Sequence, residues 1–266
     1  MVEPLLKWAG GKRWLTSGDK LPLPDSYERY VEPFLGSGAV FFYLEPEKSV
    51  ISDRNPDLIS FYEVVRDSPD DLHKLMRVHH EKHSRDYYYE IRSVRSVCKI
   101  ERAAAFLYLN RTCWNGLYRV NREGIFNVPI GTKKNVLMAT DDFLRVSEVL
   151  KRAELLHCDF EDTLNRCGRG DFVFVDPPYT VKHNNNGFVK YNEEIFSWQD
   201  QLRLSTVVGR AAERGAAIVV TNADHSSVHE LYGDAFVYRS LSRHSVLSAS
   251  SASRRSTTEA VFTANL

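Results

Sequence analysis

The run Asp171-Phe-Val-Phe-Val-Asp-Pro-Pro-Tyr-Thr180 constrains this chain more than any other stretch. Residues 172–176 are dominated by β-branched and aromatic side chains and lie between Gly168/Gly170 and a double proline, so they predict a short strand apolar on both faces. Such a strand needs cover above and below, the situation inside an α/β sheet flanked by helices. Pro177 and Pro178 keep their carbonyls but have no N–H, so Asp176-Pro-Pro offers hydrogen-bond acceptors with φ fixed and almost no donors. That cluster suits a donor-rich target such as an exocyclic amino group. Tyr179 adds a flat ring able to stack on a heterocycle while its hydroxyl stays solvated. The plain alternative is a rigid turn that ends a strand.

The rest of the chain supplies the cover. Strand-like segments at 30–34, 49–52, 154–158, 172–176, 217–220, 236–241 and 260–263 alternate, for the most part, with helical ones at 39–44, 57–66 and 141–151 and from Ser197 onward. Ser197-Trp-Gln-Asp200 has the form of a capping box, and Leu204, Val208, Ala211 and Ala212 follow on one face. This predicts a doubly wound α/β fold with a seven-stranded, Rossmann-like sheet. The stretch from Ser68 to about Asn110 is helical and strand-poor, which interrupts the alternation and predicts an inserted subdomain. A chain of 266 residues with 43% hydrophobic side chains is long enough for both.

Two glycine turns stand out near the N-terminus. In Lys7-Trp8-Ala9-Gly10-Gly11-Lys12 the glycine pair allows close backbone approach to a ligand, or simply makes a turn. The sequence 30–34, then Leu35-Gly36-Ser37-Gly38, then a helix reads as a nucleotide-binding bend. Phe41 replaces the third glycine of G-x-G-x-x-G, which favours a ligand without phosphates over a dinucleotide. Asp53 ends the next strand, seventeen positions after Gly36, where a carboxylate can accept both ribose hydroxyls or cap the helix at Asn55-Pro56. Asp159-Phe160 ends a further strand, on the side of a parallel sheet where ligands bind.

Basic and acidic residues balance at 35 each, so any polyanion surface must come from local segregation. From Arg85 to Lys134 ten basic residues face four acidic ones, and from Ala235 to Thr258 four arginines stand with no acid; each block can also be a plain solvated face. Arg92, Arg95, Lys99 and Arg102 would line one face of a continuous helix with charge toward phosphates. Residues 114–129 predict a hairpin punctuated by Asn115-Gly116 and Glu123-Gly124. Its aromatics Trp114 and Tyr118 are interleaved with Arg111, Arg119 and Arg122, a mixture able to read guanine and wedge a base stack, or an ordinary surface hairpin. His79, His80 and His83 lack the glutamate of H-E-x-x-H, so no metal site is predicted.

The four cysteines form no C-x-x-C pair and read as reduced thiols of a cytoplasmic protein. With no apolar run near 18 residues and no basic start before one, neither export nor membrane insertion is expected. Residues 181–196, containing Asn184-Asn185-Asn186-Gly187, form a candidate lid, and the serine-rich stretch 240–256 reads as a mobile loop.

Taken together, Lys7-Trp-Ala-Gly-Gly-Lys12, Glu32-Pro-Phe-Leu-Gly-Ser-Gly38, Ser52-Asp-Arg-Asn55, Asn110-Arg111, Trp114-Asn-Gly-Leu-Tyr-Arg119, Phe126-Asn-Val-Pro129 and Asp176-Pro-Pro-Tyr179 resemble the Dam-type, α-class DNA adenine-N6 methyltransferases over nearly the whole chain. The resemblance implies an S-adenosylmethionine-binding catalytic domain at 1–66 and 135–266, with a target-recognition subdomain at 67–134 that carries the hairpin 114–129. It implies cofactor contacts from Trp8, Lys12, Phe34, Gly36, Gly38, Asp53, Asp159, Phe160 and Asp176, and catalysis by Asp176, Pro177 and Tyr179. DNA contacts would come from Lys7, Trp114, Asn115, Leu117, Arg119 and Pro129 within a GATC site, with Arg92 and Arg95 on the backbone. Trp114 stands where relatives often carry tyrosine or phenylalanine. Double-stranded DNA is the implied partner, a cognate restriction endonuclease a candidate one, and no metal or membrane is called for. The rival readings are a methyltransferase for RNA or another amine, which would not need the hairpin, and a non-catalytic DNA-binding module.

Overall fold

The computed structural model describes residues 2–18, 20–121, 123–181, 196–244 and 256–266. Arg122, the core of the candidate lid at 182–195, and 245–255 of the serine-rich stretch therefore lie outside the described residues.

Seven strands, β1 (Arg29–Glu32), β2 (Ser49–Asp53), β3 (Ala153–His157), β4 (Asp171–Val175), β5 (Ala217–Ala223), β6 (Val237–His244) and β7 (Ser256–Ala264), form one sheet in the order β3-β2-β1-β4-β5-β7-β6. The sheet is mixed. β4 runs parallel to β1, with Tyr30 opposite Phe172, and parallel to β5, with Val175 opposite Val220, whereas β7 is antiparallel to both β5 and β6. Residues 242–244, expected in a loop, instead extend β6 beyond the strand expected at 236–241, since each pairs with a β7 residue. β4 is buried at every position, as a strand apolar on both faces must be.

The chain divides into two compact units: Met1–Thr16 with Leu35–Ser49 and Asp53–His157, and Ser17–Phe34 with Val50–Ser52 and Cys158–Leu266. The first holds helices α1 (Ala39–Leu44), α2 (Pro56–Asp67), α3 (Pro69–Lys82), α4 (Arg85–Ser93), α5 (Lys99–Thr112) and α6 (Phe143–Leu150). α2 begins where Asn55 accepts the Asp57 and Leu58 N–H groups at 3.0 and 3.3 Å, with Pro56 preset for a first turn. Leu58, Phe61, Tyr62 and Val65 are buried on α2, which packs on α5 and α6 and is worth about 1.5–3 kcal/mol per large side chain.

The continuous basic face expected across Arg92, Arg95, Lys99 and Arg102 does not form, because α4 ends at Ser93 and α5 starts only at Lys99. Valine and serine there favour extended and turn backbone, and Ser96 Oγ takes the Cys98 N–H at 3.0 Å. Between α3 and α5 the histidines serve packing. His79 stacks on Tyr108 and its Nδ1 lies 2.8 Å from the Tyr87 hydroxyl, while His83 Nδ1 lies 2.9 Å from the Tyr108 hydroxyl.

The second unit carries α7 (Phe160–Leu164), α8 (Trp198–Glu213) and α9 (Ser226–Tyr232). Ser197 and Asp200 form the expected capping box at the start of α8. Arg29 grips Asp171 at 2.7 Å where β1 and β4 begin side by side. Among the described residues no helix is long and apolar enough to cross a membrane, and no group of three or more His, Cys, Asp or Glu is placed to hold a metal ion.

Candidate active site and nucleic-acid interface

At the C-terminal end of β4 the chain enters Asp176-Pro177-Pro178-Tyr179, and three neighbouring elements fix it. From β5, Thr221 Oγ1 donates to Asp176 Oδ1 at 2.8 Å. From α8, the buried Gln201 donates Nε2 to the Pro178 carbonyl at 3.1 Å, and its own Oε1 accepts from Asn222 Nδ2 at 3.0 Å. From β7, Glu259, only 2% exposed, accepts the Tyr179 hydroxyl at 2.7 Å. Burial, then the charges of Asp176 and Glu259, hold the Tyr179 phenol well above its ordinary value, so it remains a donor. The result is a rigid corner whose backbone cannot donate at residues 177 and 178.

Sequence reasoning missed Thr221, Gln201, Asn222 and Glu259. The available signal was polar side chains in otherwise apolar runs: Glu259 within Thr-Thr-Glu-Ala-Val-Phe, and Thr221-Asn222 after Ile-Val-Val.

Also in the second unit, Phe34 stacks on Phe160 with centroids 5.4 Å apart, and Phe196 meets Phe34 edge-on at 5.6 Å. Arg203 lies over the Phe160 ring at 4.2 Å and forks onto Asp159 at 2.7 and 3.0 Å. Asp159 caps α7 as well, taking the Glu161 N–H at 3.0 Å. The second unit thus holds a packed cluster of Phe34, Phe160 and Phe196, with Arg203, which pattern reading overlooked, lying over the Phe160 ring.

The first unit contains the glycine turn. Asp53 accepts the Gly36 N–H at 3.1 Å through one oxygen and the Asn55 N–H at 2.9 Å through the other. Of the two readings of Asp53, capping falls to Asn55. Burial pushes the Asp53 carboxyl above its usual range, against the pull of those two N–H groups. Gly36 has φ +49°, and a Cβ there would lie 2.7 Å from Trp8 Cδ1, so the indole rests directly on the turn. Gly38 caps α1 and donates its N–H to the Leu35 carbonyl at 2.7 Å. Lys12, 2% exposed, folds Nζ back onto the Gly10 carbonyl at 2.6 Å and closes the Gly10-Gly11 bend.

The hairpin adjoins this turn in the same unit. Tyr118 stacks on Trp8 and donates its hydroxyl to Asp57 Oδ2 at 3.2 Å. Asn115 and Gly116, with φ +56° and +65°, make a tight turn that lies at the hairpin's base rather than its tip. The tip is the bend from Asn121, whose Oδ1 accepts the Glu123 and Ile125 N–H groups at 3.0 and 2.9 Å. Isolated bridges Cys113↔Ile130 and Val120↔Phe126 hold the arms, and the Pro129 carbonyl takes the Trp114 N–H at 2.9 Å. Trp114 is 51% exposed. Arg119 is steadied by Asn127 Oδ1 at 2.8 Å.

Asn110, wholly buried, accepts the Lys7 N–H at 2.9 Å and donates Nδ2 to the Lys7 carbonyl at 2.8 Å and to the Gly116 carbonyl at 3.5 Å. It thereby clips the N-terminal strand of chain to the hairpin base. Burial, then the charges of Lys133 and Arg111, lower the Lys7 ammonium. Arg92 reaches the Val128 carbonyl at 3.1 Å and Arg95 reaches Asp57 at 3.0 Å. The structure therefore brings Trp8, Gly36 and Asp53 together with Lys7 and the hairpin in one unit, and Phe34, Asp159 and Phe160 together in the other.

Comparison with known proteins gives a consistent outcome. A family model described as D12 class N6 adenine-specific DNA methyltransferase matches residues 8–246. A type II methyltransferase, M1.LlaDCHI, of Lactococcus lactis subsp. cremoris is 35% identical over 271 residues, covering 98% of this chain and 95% of that protein. The type II methyltransferase M.MjaIII of Methanocaldococcus jannaschii is 37% identical, with 84% of each covered. A DNA adenine methylase of Vibrio cholerae is 34% identical, covering 85% of this chain and 83% of the other.

Proposed function

Since the chain belongs to the D12 class N6 adenine-specific DNA methyltransferase family, and is an adenine-specific DNA methyltransferase, we propose that it moves a methyl group from S-adenosylmethionine to N6 of an adenine flipped out of duplex DNA, within GATC. The observation that carries this reading is the Asp176-Pro177-Pro178-Tyr179 corner, braced from β5, α8 and β7.

The residues present suit the proposed cofactor. A carboxylate raised by burial at Asp53 matches a ribose diol, Phe160 and Phe34 match an adenine ring, and Trp8, Lys12, Gly36 and Gly38 frame a turn with no requirement for phosphates. When bound, S-adenosylmethionine supplies a methyl carbon on a sulfonium, and the new N–C bond forms as the C–S bond breaks with its electrons left on sulfur. An aromatic amine is a poor nucleophile because its lone pair is delocalised. The Asp176 carboxylate and Pro177 carbonyl accept its two N–H bonds, hold the nitrogen pyramidal and aim its lone pair outward. One of those protons then leaves the methylated nitrogen, with Asp176 its first acceptor. Tyr179 stacks on the extruded base, and Trp114 fills the gap in the duplex, offsetting a flipping cost of a few kcal/mol.

Lys7, Asn115, Leu117, Arg119 and Pro129 are assigned to base reading, and Arg92 and Arg95 to the DNA backbone. The type II names of two relatives support a role beside a restriction endonuclease, and we assign that role to the cytoplasm. Methyl incorporation from labelled cofactor into GATC duplex, a GTTC control duplex and structured RNA tests the proposal. Incorporation confined to GATC adenine, abolished in Asp176→Ala with DNA binding kept, is the expected result. Activity in Asp176→Ala, or transfer to RNA alone, overturns it.

A further inference from the structure

Glu259 is a buried carboxylate in the middle of a strand. In β7 it sits opposite Ala223 of β5 and Leu241 of β6, followed by the wholly buried Ala260 and Val261. Placing a carboxylate there is costly, and well-packed apolar residues stabilise such positions at least as well. Glu259 makes a short hydrogen bond, 2.7 Å from Oε2 to the Tyr179 hydroxyl, across eighty residues of sequence.

We propose that Glu259 is a positioning residue that sets the Tyr179 ring for the target base; this rests on the reading above, in which Tyr179 stacks on the extruded adenine. The preceding Pro178 carbonyl is already held by Gln201, and the Tyr179 side chain can still swing by rotation about its Cα–Cβ bond, which carries the hydroxyl with it. A phenol O–H donating to a carboxylate fixes that rotation before the base arrives. The same bond shifts electron density into the ring, whose face then better accommodates a base gaining positive charge at its amino nitrogen. Rotating the ring away would break a charge-assisted hydrogen bond in a desolvated site.

The test compares Tyr179→Phe, Glu259→Gln, Glu259→Ala and the Tyr179→Phe/Glu259→Ala double variant in steady-state methylation of GATC duplex. It is paired with the fluorescence of 2-aminopurine at the target position. Tyr179→Phe keeps the ring and loses the tether, so kcat should fall about tenfold while the KM for DNA stays within about twofold. Glu259→Gln retains an acceptor and should stay within about threefold of wild type, Glu259→Ala should match Tyr179→Phe, and the double variant should be no worse than either. The 2-aminopurine signal should change in Tyr179→Phe and Glu259→Ala and be restored in Glu259→Gln. If Glu259→Ala does not fold, Tyr179→Phe and Glu259→Gln still decide the matter. Wild-type kcat and fluorescence in Tyr179→Phe, or Glu259→Gln no better than Tyr179→Phe, overturns the inference while leaving the methyltransferase reading intact. A wild-type protein that methylates no adenine overturns both.

Discussion

Trp8 and Tyr118 stack with centroids 5.3 Å apart and planes inclined by 20°, and the same indole rests on the backbone of Gly36. The glycine turn and the root of the hairpin therefore share one side chain. Gly36→Ala places a Cβ 2.7 Å from the Trp8 ring at a φ of +49°, where an L-residue costs about 1–2 kcal/mol. The expected outcome is a melting temperature a few degrees lower, with weaker S-adenosylmethionine binding, read by calorimetry on the same sample. Unchanged affinity would separate the indole from the cofactor.

Arg111 and Asp141 form a buried pair with two contacts of 2.6 Å, and the guanidinium also donates to the Leu5 and Val136 carbonyls at 2.9 and 2.8 Å. Asp141→Asn leaves that cation buried without its counter-charge and should cost about 3–5 kcal/mol. Urea unfolding followed by tryptophan fluorescence measures it. A loss under about 1 kcal/mol would mean that the carbonyls suffice.

His79 is held down to about 4 by burial and by the charge of Lys82. A base with a depressed folded value stabilises the fold fully above its unfolded value near 6.5, and that contribution is lost as pH falls toward about 4. Stability should thus drop by roughly 3 kcal/mol across that window. His79→Gln should flatten the slope between pH 6.5 and 4, though less stable at neutral pH for want of the Tyr108 stack. Urea midpoints against pH supply the check, and a parallel profile in the variant would refute the assignment.

Arg119 is pre-set by Asn127 at 2.8 Å. Arg119→Ala should remove about 1–3 kcal/mol of discrimination at one guanine, and Asn127→Ala a smaller part of it, with little effect at the other positions. Methylation rates on single-mismatch duplexes provide the comparison. A uniform loss across all mismatches would make Arg119 a phosphate contact instead.

Much of this molecule could be read from residue order alone. The strands at 30–34, 49–52, 154–158 and 172–176 are recovered within a residue or two, because apolar runs bounded by glycine and proline leave few alternatives. The capping box at Ser197 was equally plain, since its chemistry is local. The basic stripe failed for the opposite reason: charge spacing says nothing about whether a helix survives Val94 to Cys98, where Ser96 Oγ takes the Cys98 N–H in a local turn. Both glycine signals of the hairpin mark turns, Asn115-Gly116 at its root and Glu123-Gly124 at the tip that Asn121 builds, although spacing alone did not say which was which. Glu259 could be picked out as a polar residue in an apolar run, but its partner could not, nor those of Gln201 and Arg203, because each acts on a residue distant in sequence and only folding brings the pair together.

One buried amide has a consequence for how this protein could change its target. Asn110 grips both carbonyl and N–H of Lys7 and also reaches Gly116, so the candidate base reader Lys7 and the hairpin root that precedes Leu117 hang from a single peg in the core. Their spacing is a property of α5 and not of the loops that carry them. Under the proposed base reading, new preferences arise by exchanging side chains at Lys7, Leu117 or Arg119, letter by letter, while the ruler that sets the interval between letters stays fixed.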